Sequence, residues 1–216
     1  MLLDIASHRA GKPAGRIRQK NEQVIIAAAE AEFAQHGFKG ATMNNIAERA
    51  GLPKSNIHYY FKNKLQLYAE VLTNIIDLWD TAFNELDPER EPAEALRAYI
   101  RQKMQFSHDY PQASRVFAKE ILSGAPRLQE FFNADYRDWF EQRTEVFRQW
   151  AAQGKIEAIA PEHIIFLIWS STQHYADFGV QIAAATGKKR LSQGDFDRAT
   201  DALCKIVVRG IGAREA

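Results

Sequence analysis

Apolar residues recur at helical spacing along almost the whole chain. From about Gln19 the pattern turns helical, with Ile26, Ala29 and Phe33 at i, i+3 and i+7 forming one stripe. Gly37 predicts the end of that helix, as a glycine just past the last turn does. Thr42 precedes a short pattern containing Ile46 and Ala47, where its hydroxyl suits an N-cap, and Gly51 closes that pattern. Pro53 opens the next helix, at a position where a missing N–H costs nothing. Asn63 interrupts, and a long helix is predicted from about Lys64 to Leu86. Pro88 and Pro92 bracket a loop. Further helices are predicted over 93–108, 112–123, 127–152, 161–185 and 195–209, separated by Asp109-Tyr110-Pro111, Gly124-Ala125-Pro126, Gly154, Pro161 and Gly187. No convincing strand alternation, internal repeat or low-complexity segment interrupts this series. The fold class expected is all-α.

Three segments follow. Residues 1–18 read as a flexible basic arm, with Gly11, Pro13 and Gly15 among Arg9, Lys12, Arg16 and Arg18. Residues 19–64 form a small three-helix unit, and 65–216 a larger helical bundle. The net charge of +1 conceals an asymmetry: residues 1–64 hold ten Lys/Arg against five Asp/Glu, and the remainder holds eighteen against twenty-two. Such a front suits a polyanionic partner, and equally a tail that keeps the chain soluble. Apolar residues make up 46% of the chain, enough for a core, yet no unbroken apolar run exceeds the six residues Ile164–Trp169. A bilayer span needs about 20. Cys204 stands alone, so no disulfide closes within the chain, and a cytoplasmic location is expected.

The helix after Pro53 crowds Lys54, Ser55, Asn56, His58, Tyr59 and Tyr60 into seven positions. Ile57 and Phe61, at i and i+4, are enough to pack it inward. Two short helices around Gly51, supported by a first, make a helix-turn-helix, whose second helix lies in the DNA major groove. Lysine pairs with guanine acceptors and asparagine with adenine, and tyrosine hydroxyls reach phosphates. Lys64, at a helix start, adds an ammonium to free backbone N–H groups, a combination that holds phosphate.

The stretch "GFKGATMNNIAERAGLPKSNIHYYFKNKLQLY" resembles the DNA-binding domain of TetR-family repressors at Gly37, Gly40, Thr42, Ile46-Ala47, Ala50-Gly51, Tyr60-Phe61, Lys64 and Leu67. Two positions depart: His58 stands where the family usually has a phosphate-touching tyrosine, and Leu65 where it often has an acid. "DYPQASRVFAKEILSGAP" (109–126) and "IIFLIWSSTQHYADF" (164–178) are similar to the subgroup of pyrimidine-utilisation repressors. The resemblance implies a helix-turn-helix domain followed by a ligand-binding and dimerisation bundle. It implies a homodimer joined through 161–185 and 195–209, a palindromic double-stranded DNA operator contacted by Thr42, Lys54, Ser55, Asn56, His58, Tyr59, Tyr60 and Lys64, and a uracil- or thymine-like effector. A TetR-type regulator of an unrelated metabolite or drug is the alternative.

In the rear bundle, Trp169, Thr172, Gln173 and Ala176 share a face at 100° per residue. An amide offers donor and acceptor to a pyrimidine edge, and an indole a surface to stack on. Trp79 is a second candidate wall. On periodicity alone these residues more readily satisfy a neighbouring helix and fill a core; the resemblance reverses that for Trp169 and Gln173, less so for Trp79. His174 and Asp177, on the neighbouring stripe, complete the candidate set. With Ser170 they tempt a reading as a hydrolytic triad. Three residues on one straight helix project side by side, however, with no evident oxyanion donor, so a His–Asp pair is expected instead and no catalysis. His163 and His174 lie about 16 Å apart at 1.5 Å per residue, too far to share an ion. No metal and no cofactor is expected.

Overall fold

The computed structural model describes residues 15–133 and 136–213. Its elements are α1 (Arg16–Gly40), α2 (Met43–Ala50), α3 (Lys54–Tyr60), α4 (Lys64–Asp80), a 3-10 turn (Thr81–Glu85), α5 (Pro92–Asp109), α6 (Pro111–Leu122), α7 (Gln129–Asn133), α8 (Tyr136–Ala152), α9 (Pro161–Asp177), α10 (Gly179–Ala185) and α11 (Gln193–Gly210). No strand occurs among the described residues, in agreement with the all-α expectation. Residues 1–14 of the basic arm lie outside the described residues. α1 is already helical at Arg16, three positions before the expected start.

Several helices differ from the sequence reading for local reasons. Gly37 does break α1, with φ 67°, but a further helical turn carries on to Gly40. The buried face of α1 is Ile25, Ala28, Ala29, Glu32 and Phe33, with Ile26 only half-buried. The long helix ends at Asp80 and tightens into a 3-10 turn, where the Thr81 hydroxyl donates to the Leu78 carbonyl. The 127–152 stretch opens with a turn at 126–128 and contains two helices, α7 and α8. The 161–185 stretch divides at Phe178, whose φ of −112° leaves the helical region just before Gly179.

The chain packs as two compact units. One takes in residues 15–77 and 115–133; the other takes in 78–114 and 136–213. In the first, Ile25, Phe33, Ile46, Ile57, Leu67 and Leu72 are fully or almost fully buried. Glu32 is buried among them because its charge is answered: the Asn45 amide donates to one oxygen at 3.0 Å and Arg49 to the other at 3.2 Å. A second buried carboxylate, Glu120, accepts from the Tyr68 hydroxyl at 3.1 Å, the Arg127 backbone N–H at 2.7 Å and the Arg127 guanidinium at 3.2 Å. Burial, and then the Glu120 charge, hold the Tyr68 hydroxyl well above the usual phenol range. Lys119 donates to the Ala34 carbonyl at 2.6 Å, and the cations of Lys64 and Arg127 both face the Phe38 ring.

In the second unit α5 packs against α9 and α11. Leu96, Tyr99, Ile100, Phe147, Trp150, Ile165 and Val208 are its fully buried centre. Asp80, at the end of α4, accepts from the Trp139 indole at 3.1 Å and pairs with Arg143. α11 opens with a Ser192–Asp195 capping box. The Asp195 carboxyl is held well below the usual range, mostly by its bond to Lys188.

Glu32→Leu leaves the Asn45 and Arg49 donors without their shared acceptor. It is expected to cost about 1–3 kcal/mol of stability in urea unfolding, and Glu32→Gln less, because an amide oxygen keeps one bond. Equal losses for the two variants would contradict this account of Glu32.

Candidate nucleic-acid interface and effector cleft

The front site is built by two caps and a turn. The Thr42 hydroxyl accepts the Asn45 N–H at 3.1 Å and starts α2. Gly51 ends α2 in the left-handed region, φ 65° and ψ 28°, where a Cβ would be strained. Pro53 then enters α3 from extended backbone. Ile57 is fully buried and Phe61 nearly so, as their spacing predicts. This sets the rotation of α3: Lys54, Ser55, His58 and Tyr59 are exposed, while Asn56 and Tyr60 are half-buried. Tyr59 is 71% exposed, an unusual position for a large ring, and it meets the edge of Tyr60 at 5.2 Å. Arg18 from α1 lies 5.9 Å from the Tyr59 ring. From Leu52 to Lys64 the chain carries Lys54, Lys62, Lys64 and His58 and no acid. Thr42 is exposed at the start of α2, so the structure gathers the whole candidate DNA set in the front unit.

Lys64 differs in detail from the sequence reading. Its ammonium donates to the Ala41 carbonyl at 2.8 Å and faces the Phe38 ring at 4.7 Å. It therefore joins the start of α4 to the start of α2. Part of the α4 N-terminus is also self-capped: Asn63 accepts the Gln66 N–H, and Gln66 accepts the Lys62 N–H.

The rear candidates separate. Trp79 and Gln173 line one small cleft, together with Lys103, Phe106, Ser107, Ser114 and Thr172. The cleft is narrow, with a volume of about 10 Å3. Ser107 donates to the Thr172 carbonyl at 2.9 Å, and the Thr172 hydroxyl to the Ile168 carbonyl at 2.8 Å. Ser114 is buried, and its hydroxyl has no hydrogen-bond partner among the described residues. Lys103 is half-buried, with its ammonium 4.9 Å from the Trp79 ring. Burial lowers its pKa to about 8.

Trp169 does not line the cleft. Its indole N–H donates to the Tyr99 hydroxyl at 2.8 Å, and its ring sits among Phe83, Phe140 and Phe166. It lies one helical turn before Gln173, about 6 Å along α9, and that turn falls in the aromatic layer of the core. His174 is exposed and stacks on Phe178 at 4.7 Å, and Asp177 is half-buried; neither lines the cleft. Ser170 gives its hydroxyl to the Leu167 carbonyl.

The helix-turn-helix geometry agrees with comparisons to known proteins. Residues 25–71 match the family described as "Bacterial regulatory proteins, tetR family", and residues 72–214 match "YcdC-like protein, C-terminal region". The chain is 38% identical over 204 residues to the HTH-type transcriptional regulator RutR of Escherichia coli K12, covering 94% of this chain and 96% of that one.

The chain belongs to the TetR family.

The fold alone is shared with more distant TetR-like structures. SCO4942, a transcriptional regulator of Streptomyces coelicolor, superposes with a TM-score of 0.70 at 24% identity, covering 89% of this chain and 98% of its own. The ketosteroid transcriptional regulator KstR2 of Mycobacterium tuberculosis gives 0.68 at 16% identity, covering 94% and 98%. The chain is thus a transcriptional regulator with a TetR-type DNA-binding domain. No helix among the described residues is long and apolar enough to cross a membrane.

Sequence reasoning missed Lys103, Phe106, Ser107 and Ser114 in this TetR-family cleft. A signal for Lys103 was present: it falls on the buried stripe of α5, three and four residues after Ile100 and Tyr99 and four before Ser107. A cation on an apolar stripe demands a reason. Its titration gives a test. The unfolded chain keeps the Lys103 proton up to about pH 10.4, whereas the folded protein releases it at about 8. Between those values the unfolded state binds more protons, so the Lys103 contribution to stability rises with pH. None of the other cleft-lining residues is an acid or base in this range. The stability difference between Lys103→Met and wild type is therefore expected to shrink from pH 8 to pH 10, measured by urea unfolding. A constant difference would contradict the depressed pKa.

Proposed function

We propose that this TetR-family regulator is a homodimeric repressor of pyrimidine or nitrogen catabolism that responds to a uracil- or thymine-like effector. The observation that carries the reading is the pairing of Gln173 with Trp79 in one closed cleft. An amide that both donates and accepts, beside an indole, matches the N–H and C=O edge of a small flat ring. The likeness of 109–126 and 164–178 to pyrimidine-utilisation repressors points the same way. A ring of this size enters only as the cleft widens. α4 carries Trp79 near one end and Lys64 at the other, so a displacement of the first is transmitted along one helix toward the DNA-facing unit. Half-sites about one helical turn apart require recognition helices roughly 34–36 Å apart, and a change in that spacing lowers affinity.

The dimer is proposed to form through α9, α10 and α11. Phe166, Leu167, Phe178, Val180 and Ile206 are all at least half exposed there. A patch of this kind on a soluble chain suits a second copy. Residues 19–64 serve as the DNA-binding segment and 65–216 as the ligand and dimer segment, with the protein acting in the cytoplasm. No catalytic role is assigned to Ser170, His174 or Asp177.

Footprinting with purified protein is expected to protect a palindromic site. Lys54→Ala is expected to lose about 1–3 kcal/mol at one preferred base pair, as a base contact does. Lys64→Ala is expected to weaken every duplex alike and to lower the folding stability by about 1 kcal/mol through the lost Ala41 bond. Equal affinity for all sequences at moderate salt would refute the DNA reading. For the effector, calorimetry with uracil and thymine is expected to show binding that weakens by about 1–3 kcal/mol in Gln173→Leu, where the ring edge is left unpaired. No binding of any pyrimidine would leave the regulator and remove this effector class.

A further inference from the structure

The same cleft holds a charge that a neutral pyrimidine does not answer. Lys103 projects its ammonium against the Trp79 ring, and among the described residues it forms no ion pair and no hydrogen bond. Trp79, Phe106, Ser107, Ser114, Thr172 and Gln173 line the cleft around it, and none is an acid. Ser114, 3% exposed, holds an unpartnered hydroxyl in the same wall. A structural lysine at such a site is normally paired, because an enclosed ammonium without an anion is costly. The ring face offsets only part of that cost. Burial lowers the Lys103 pKa, the mark of a charge lacking a counter-ion.

We propose that Lys103 makes this cleft selective for a planar heterocycle that carries negative charge on an exocyclic oxygen or a ring carboxylate, which lies against the lysine ammonium beside Trp79. The inference rests on the effector reading of the cleft and narrows its ligand class. A neutral carbonyl gives Lys103 a hydrogen bond but leaves the charge enclosed. An anion supplies both bond and counter-charge, in a half-buried site where water screens the attraction less than at the open surface. The Ser114 hydroxyl adds a donor for a second anionic oxygen. Two sources fit this chemistry: a ring imide that has lost its N–H proton, or a ring that bears a carboxylate.

Calorimetry on the full chain near pH 7 separates these sources. The probes are uracil, 5-nitrouracil, whose nitro group acidifies the ring N–H, and orotate, which carries a ring carboxylate. Charge-assisted bonds exceed neutral ones by enough that at least one charged ring is expected to bind about tenfold or more tighter than uracil. In Lys103→Met and Lys103→Gln that advantage is expected to vanish, while uracil affinity changes far less. The ligand-free melting temperature of Lys103→Met is expected to equal or exceed that of wild type, since an enclosed unpaired charge is removed. The inference is overturned if wild type binds uracil as tightly as both charged rings, or if the advantage survives in both variants. A markedly lower ligand-free melting temperature in both variants would also overturn it, by making Lys103 a structural residue. Uracil binding without preference for charge defeats this inference alone. Absence of binding by all three rings defeats the effector reading and this inference with it.

Discussion

Glu32 sets a carboxylate on the buried face of α1, and the two donors that answer it come from successive turns of α2. Asn45 and Arg49, at i and i+4, reach its two oxygens. Two bonds one turn apart fix both the height and the rotation of α2 on α1. This matters because α2 and α3 have eight and seven residues, too short to be helical alone in water. Once α2 is fixed, the left-handed Gly51 sets the turn, and burial of Ile57 and Phe61 sets α3. Each of those apolar side chains contributes about 1.5–3 kcal/mol on burial. Lys54, Ser55, His58 and Tyr59 need no partner of their own to point outward; they occupy the face that packing leaves over. The exposed polar face of α3 is thus a consequence of one buried charge and two apolar anchors.

The rear unit handles polarity in the opposite sense. Front-unit carboxylates at Glu32 and Glu120 are buried and fully engaged. In the cleft, the buried Ser114 and the half-buried Lys103 have no equivalent partners among the described residues. Enclosed polar groups left unanswered cost free energy, and a site that retains them gains selectivity when a ligand answers them. α6 carries Ser114 in this cleft and Lys119 and Glu120 five and six residues later, about 8–9 Å along the same helix at 1.5 Å per residue. Those two residues bond the Ala34 carbonyl, the Tyr68 hydroxyl and Arg127 in the front unit. A ligand acts on DNA affinity only through a difference in its affinity for two arrangements of the chain.

What was legible in the sequence is what local chemistry decides. The Thr42 cap, the Gly51 turn, Pro53, and the inward Ile57 and Phe61 all rest on contacts within a few residues. Helix ends without a strong local signal were not legible: Phe178 breaks α9 from α10, and Thr81 tightens the end of α4, through backbone choices that many sequences share. Residues whose role depends on a distant partner were the hardest. Glu32 looks like any surface acid until Asn45 and Arg49 arrive thirteen and seventeen positions later. Trp169 and Gln173 share a face of α9, yet Tyr99, seventy residues away, claims the indole and leaves only the amide for the cleft. Trp79, the weaker candidate on pattern, is the aromatic wall that remains.

Solvent divides the two sites physically. The polar groups of α3 stand in water, where keeping them unpaired costs little and where ions within about 8–10 Å screen their attraction to phosphate at ordinary salt. On the proposed DNA-binding role, front-end affinity is assembled from many weak contacts, for which Lys54, Ser55, Asn56 and His58 on α3 are the candidates. The cleft is narrow and partly screened from water, so each contact in it counts for more than on the open surface, but widening it opposes binding. On the proposed effector reading, a small ring that satisfies Gln173, Ser114 and Lys103 at once would offset that opening, and one that leaves the ammonium unanswered would gain less. Selectivity at the rear follows from scarcity of water, just as tolerance of single losses at the front follows from its abundance.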